Sequence, residues 1–148
     1  MRRNSQFLRS TKSFVVKTGG MKTTVILLLT NDTELEALVA DALSEIGAIS
    51  HLTRDAGEAL DIICGVDDLD LAIVDFEHGP HGMTLLNAIS TLREDLPLIA
   101  ITRDDEEHVQ ALAYVNGATA CFSKRAVATQ LANAIRQWCK PTIERAFA

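Results

Sequence analysis

The chain is poor in the residues that build specialised scaffolds. Its three cysteines, Cys64, Cys121 and Cys139, are widely spaced, odd in number and contain no C-x-x-C. Neither a disulfide framework nor a zinc cluster is expected from them, and a reducing, cytoplasmic setting is. All three are expected as small hydrophobes in or near the core. No apolar run approaches the ~18 residues that span a bilayer, and the longest candidate, Val25 to Leu29, is strand-sized. No membrane partner is expected. Acidic residues are missing from the first 22 positions, which hold Arg2, Arg3, Arg9, Lys12, Lys17 and Lys22. The remainder carries eight basic residues against twenty acidic ones. So acidic a body argues against nucleic-acid binding by the globular part.

What is present fits one ordinary globule. A hydrophobic fraction of 47% and a charged fraction of 23%, in 148 residues, suffice for a single core. Residues 1–20 form a basic N-terminal extension with three readings: a disordered tail, a transit-like peptide, or a segment upstream of a true start at Met21. Within it, Phe14 to Val16 have weak strand character. Residues 21–140 form the domain, and residues 141–148 a short C-terminal tail. No internal repeat is visible.

From Thr23 the pattern becomes periodic. Thr24 to Leu29 reads as a strand that ends in Thr30-Asn31-Asp32-Thr33. A helix follows, with Leu35, Leu38, Val39, Leu43 and Ile46 on one face and Gly47 as its stop. Ala48 to Thr53 is a second strand and Ala56 to Cys64 a second helix, with Ala59, Leu60 and Ile63 inward. Leu71 to Val74 is the third strand, running into Asp75 and the turn Glu77-His78-Gly79-Pro80-His81-Gly82. Met83 to Leu92 is a helix and Leu98 to Thr102 a strand. Asp104-Asp105-Glu106-Glu107 opens the fourth helix, where acids suit the positive end of the dipole. Thr119 to Phe122 is the fifth strand, and Ala126 to Cys139 the last helix. Alternating strands and helices predict an α/β fold: a flavodoxin-like, doubly wound, five-stranded parallel sheet in the order 2-1-3-4-5.

In such a sheet, chemistry collects beyond the carboxyl ends of the strands. Those ends carry Thr30-Asn31-Asp32, Asp75, Thr102 and Ser123-Lys124. Asp75 alone has three readings: a turn cap, a cation ligand, or a nucleophile toward phosphorus. One carboxylate, one hydroxyl, one ammonium and an oxygen-rich loop together make the set that phosphoryl transfer to a carboxylate needs. His78 and His81 form an H-x-x-H with Glu77 between, read either as loop histidines in solvent or as part of a transition-metal site with Asp75. His51 and His108 read as surface positions of a strand and a helix, and Phe122 and Trp138 as core packing. No Gly-rich loop follows the first strand, which weakens a flavin or nucleotide reading.

From about Thr23 to Trp138 the sequence resembles the receiver domain of two-component response regulators. The resemblance rests on Asp70-x4-Asp75, Leu96-Pro97-Leu98-Ile99-Ala100-Ile101-Thr102, Ala111-Leu112 with Gly117-Ala118 before Lys124, and Gly57-Glu58-Ala59-Leu60. It implies Asp75 as phosphoacceptor, with Thr102 and Lys124 sensing the phosphoryl group. It also implies a Mg²⁺ ion held by Asn31, Asp32, Asp75 and the backbone carbonyl of Glu77.

The departures bear on that ion. Receivers carry an acidic pair after the first strand; counting back from Gly47 places Thr30 and Asn31 there, and a slip of one residue places Asn31 and Asp32. At 4 Å and an effective dielectric near 20, one charge pair is worth about 4 kcal/mol before desolvation. Any Mg²⁺ site is therefore expected to be weak or absent. Lys-Pro is replaced by Lys124-Arg125, and Cys121 stands at the aromatic switch position.

The resemblance implies a protein that is no enzyme beyond transfer of a phosphoryl group to its own Asp75. Its expected partners are a histidine kinase or phosphotransfer protein and a downstream protein, with homodimerisation a further expected contact. With no output domain in this chain, the downstream protein would be met on the fourth helix, fifth strand and fifth helix, near Glu107, Gln110, Tyr114 and Arg125. The alternative is a pseudo-receiver, an interaction module that signals without phosphorylation.

Overall fold

Three short apolar runs buried along nearly their whole length, Val25–Leu29, Leu71–Asp75 and Leu98–Thr102, pair with two more mixed edge strands into one parallel sheet. The computed structural model describes residues 23–76, 82–103 and 107–139. The strands are β1 (Val25–Leu29), β2 (Ile49–Thr53), β3 (Leu71–Asp75), β4 (Leu98–Thr102) and β5 (Ala120–Ser123). The helices are α1 (Thr33–Ile46), α2 (Ala56–Gly65), α3 (Gly82–Leu92), α4 (Glu107–Val115) and α5 (Val127–Trp138). A single 3₁₀ turn, Lys124–Ala126, joins β5 to α5. The strand order is β2-β1-β3-β4-β5 and every pairing is parallel, as the alternation of elements predicts.

The period of two sorts each strand between two apolar layers. Val25, Leu27 and Leu29 of β1, with Ala72 and Val74 of β3, pack toward Ala59, Ile62 and Ile63 of α2, Leu85, Leu86 and Ile89 of α3, and Ala113 of α4. Ile26 and Leu28, with Leu71, Ile73, Ile99 and Ile101, face Leu35, Val39 and Leu43 of α1 and Val127, Leu131 and Ile135 of α5. Burying one such side chain contributes about 1.5–3 kcal/mol. Phe122 and Trp138 pack against the second layer while partly exposed.

Asp32 caps α1 by accepting the amides of Glu34 and Leu35 at 2.9 and 3.2 Å. Asp55 caps α2 through the Glu58 amide at 2.9 Å. Each cap is worth ~1 kcal/mol. Gly47 ends α1 in the left-handed region, at φ 70°, where a residue without Cβ is favoured. At the amino ends of the two central strands, Asp70 Oδ2 accepts the Val25 amide at 2.9 Å, so this acid of the Asp70-x4-Asp75 motif ties the entry of β3 to β1.

Two expectations fail. His51 is buried rather than on the surface, because the alternation of β2 turns His51 and Thr53 to the covered face. Cys64 is exposed, not in the core, because Ile62 and Ile63 take the inward positions of the last turn of α2. Cys121 is half-buried and Cys139 buried; His108 is exposed, as expected. Among the described residues, no helix is long and apolar enough to cross a membrane. The basic extension with Phe14 to Val16, the turn residues Glu77, His78 and His81, the acidic run Asp104 to Glu106 and the tail 141–148 lie outside the described residues.

Candidate functional site

The carboxyl ends of β1, β3, β4 and β5 stand side by side along one rim. Asp75 closes β3 in register with Ile101, so Thr102 follows one step further on the adjacent strand. Thr102 is in turn in register with Ser123, the residue before Lys124. Thr102 and Ser123 are buried. Sheet order alone thus brings the three residues assigned to the chemistry, Asp75, Thr102 and Lys124, to consecutive strand ends.

The fourth contributor is Thr30, fully buried one residue beyond β1. Its Oγ1 accepts the Asp32 amide at 3.0 Å and donates to Asp75 Oδ2 at 2.9 Å. A hydroxyl has a single proton, so the amide on its lone pair directs that proton to the carboxylate. Position 30 counts among the acidic-pair positions in the sequence, but nothing there identifies its hydroxyl as a donor to Asp75.

Asp32 plays another part. Its Oδ1 accepts the two α1 amides, and its Oδ2 lies 2.6 Å from Lys124 Nζ. Glu34 Oε1 lies 2.6 Å from the same nitrogen. The ammonium is therefore held between two carboxylates at the start of α1, one from its N-cap and one from its first turn. The hydrogen bond from Lys124, helped by the helix amides, draws the Asp32 carboxyl below its ordinary range against a smaller opposing effect of burial. The hydrogen bonds to Asp32 and then Glu34 raise Lys124 above its ordinary range. No sequence signal joins Glu34 to Lys124, which are distant in the chain and meet only where the residue after β5 reaches the start of α1.

The residues named for a cation divide. Asn31 is exposed just before α1, Asp32 is committed to a helix terminus and an ammonium, and Glu77 lies outside the described residues. Among the described residues, no group of three or more His, Cys, Asp or Glu side chains is placed to hold a metal ion. Mg²⁺ is held chiefly by one or two carboxylates, and here Asp75 shares an oxygen with Thr30 while Asp32 is engaged elsewhere. The described donor set does not fit that ion, and no step below is routed through it.

An open parallel sheet with an Asp at the end of its central strand is the class the geometry defines. No family model matches the chain, and no curated protein does. Solved structures match it closely in shape. The signal receiver domain of an HD domain-containing protein from Pseudomonas fluorescens Pf-5 is 25% identical, at TM-score 0.70, over 85% of this chain and 98% of that one. A CheY-like response regulator receiver domain protein from Methanospirillum hungatei JF-1 is 23% identical, at TM-score 0.68, over 78% of this chain and 93% of its own. HP1043, an orphan response regulator of H. pylori, is 14% identical at TM-score 0.65, over 79% and 97%. The chain has the fold of the response-regulator receiver domain.

Proposed function

We propose that this chain is a receiver module of two-component signalling that takes a phosphoryl group on Asp75 and acts by protein contact. The observation that carries the reading is Asp75 at the end of β3, oriented by the Thr30 hydroxyl at 2.9 Å, with Thr102 and Lys124 on the next strand ends. In the step, an Asp75 oxygen forms the O–P bond while the P–N bond of a phosphohistidine donor breaks. The leaving imidazole nitrogen takes its proton from water. Thr102 would donate to a phosphoryl oxygen, and Lys124 would balance the added charge. The enzyme-like chemistry ends there, with a histidine kinase or phosphotransfer protein as donor. The downstream contact is assigned to α4, β5 and α5, where Glu107, Tyr114 and Arg125 are exposed and Gln110 is half-buried.

A second reading, the pseudo-receiver, is favoured by one observation: Lys124 already has two carboxylate partners, at 2.6 Å each. One experiment separates the two. Intact-mass measurement after incubation with a small phosphodonor and Mg²⁺ should show one added phosphoryl group, absent in Asp75→Asn. No addition at saturating donor overturns the first reading in favour of the second.

A further inference from the structure

Glu34 is the second residue of α1, its side chain 74% exposed, and nothing in the resemblance gives it a part in the chemistry. It nevertheless touches Lys124 as closely as Asp32 does, at 2.6 Å. The two carboxylates are not equivalent. Asp32 is fixed by the two amides it caps, so its hold on the ammonium belongs to the fold of the β1–α1 corner. Glu34 reaches the same nitrogen by its own side chain alone.

We infer that Glu34 is a positioning residue that draws Lys124 to the α1 side of the rim and so opposes its use by an anion on Asp75. The inference rests on the reading of Asp75 as a phosphoryl acceptor. An arriving phosphoryl group carries the charge that Lys124 would balance, and the ammonium can serve it only by weakening its present contacts. Asp32 remains in any variant of Glu34, so the change isolates the second carboxylate. Because Glu34 is exposed, its grip is screened by salt, unlike a contact buried in the core.

The test compares the full chain with Glu34→Gln and uses beryllofluoride, which mimics the phosphoryl group. Exposed ion pairs are weak, so the variant should bind beryllofluoride about twofold to fivefold more tightly. The gap should close at about 1 M salt, where the screening length is near 3 Å. Glu34→Asp, which keeps the charge on a shorter arm, should fall between the two. A second measurement needs no anion: the Lys124 Nζ signal in NMR should exchange faster with water in Glu34→Gln. Equal beryllofluoride affinities, or an Nζ signal unchanged by the substitution, would overturn the inference. An Nζ change with no beryllofluoride binding by either protein would overturn the reading of Asp75 and support the contact.

Discussion

Thr30 and Asp75, 45 positions apart, meet in a hydrogen bond of 2.9 Å that spans the ends of the two central strands. The hydroxyl is fully buried, and its acceptor side is filled by the Asp32 amide at 3.0 Å. Hydrogen bonds to charged groups contribute about 1.5–3 kcal/mol, and removing one buried partner exposes the full cost of desolvating the other. Thr30→Val, nearly isosteric, should therefore destabilise the domain by about 1–3 kcal/mol in urea unfolding, while Thr30→Ser should cost less than ~1 kcal/mol. A double-mutant cycle with Asp75→Asn should return a coupling of about 0.5–3 kcal/mol. Additive effects would mean that the contact does no more than fill space.

The paired shifts of Asp32 and Lys124 fix the pH behaviour of the clamp at both ends. Asp32 is lowered from 3.8, so its contribution is complete above that value and is lost as pH falls through the lower folded value. Lys124 is raised from 10.5, so its contribution is complete below 10.5 and is lost as pH rises through the higher folded value. The melting-temperature gap between the wild type and Asp32→Asn should accordingly be widest at neutral pH and shrink at both extremes. A gap that ignores pH would assign the effect of Asp32 to its helix cap alone.

The strands are legible in the sequence and the polar contacts are not, for one physical reason. Runs such as Leu98 to Thr102 are buried on both faces, so their composition alone identifies them as inner strands. The same applies to Asp75, Thr102 and Lys124, whose rim follows from strand order. His51 reads as solvent-facing because it is a polar residue in an edge strand, whereas period-two alternation puts it on the covered side with Thr53. The contacts of Thr30 with Asp75 and of Glu34 with Lys124 are not legible in sequence, because hydrogen-bond direction and ion pairing depend on where distant backbones meet.

His51 should make the domain sensitive to mild acid. Burial lowers its protonation below 6.5, opposed in part by the Asp68 charge. Between the folded value and 6.5 the unfolded chain binds more protons, so stability rises with pH across that window. Unfolding free energy should fall as pH is lowered through 6.5 and level off once the folded value is passed. His51→Gln should flatten this limb. An equal slope in the variant would place the titrating group elsewhere.

Coupling between Asp75 and the α4–β5–α5 face should be weak. Cys121 is half-buried against the layer that contains α4, and a thiol cannot swing as an aromatic ring does. Allosteric couplings are typically 1–3 kcal/mol, so beryllofluoride should change partner affinity by less than about 100-fold. Tyr114→Ala and Arg125→Ala should each weaken the complex regardless of beryllofluoride. A larger shift, or indifference to both substitutions, would argue for another route or another face.

The corner after β3 has a consequence for how this rim can change over time. Gly82, the first residue of α3, lies so near Phe76 that a Cβ would overlap the Phe76 carbonyl. The chain leaves the sheet at Phe76 and returns beside it at Gly82, so the intervening segment starts and ends at nearly the same point. Closing a loop between fixed ends grows only logarithmically with its length, about 0.6 kcal/mol for each doubling. Lengthening the connection between Phe76 and Gly82 should therefore cost the fold little closure entropy, provided that Gly82 is kept. Lineages can lengthen or recompose this stretch, which follows Asp75 directly in sequence, without renegotiating the sheet.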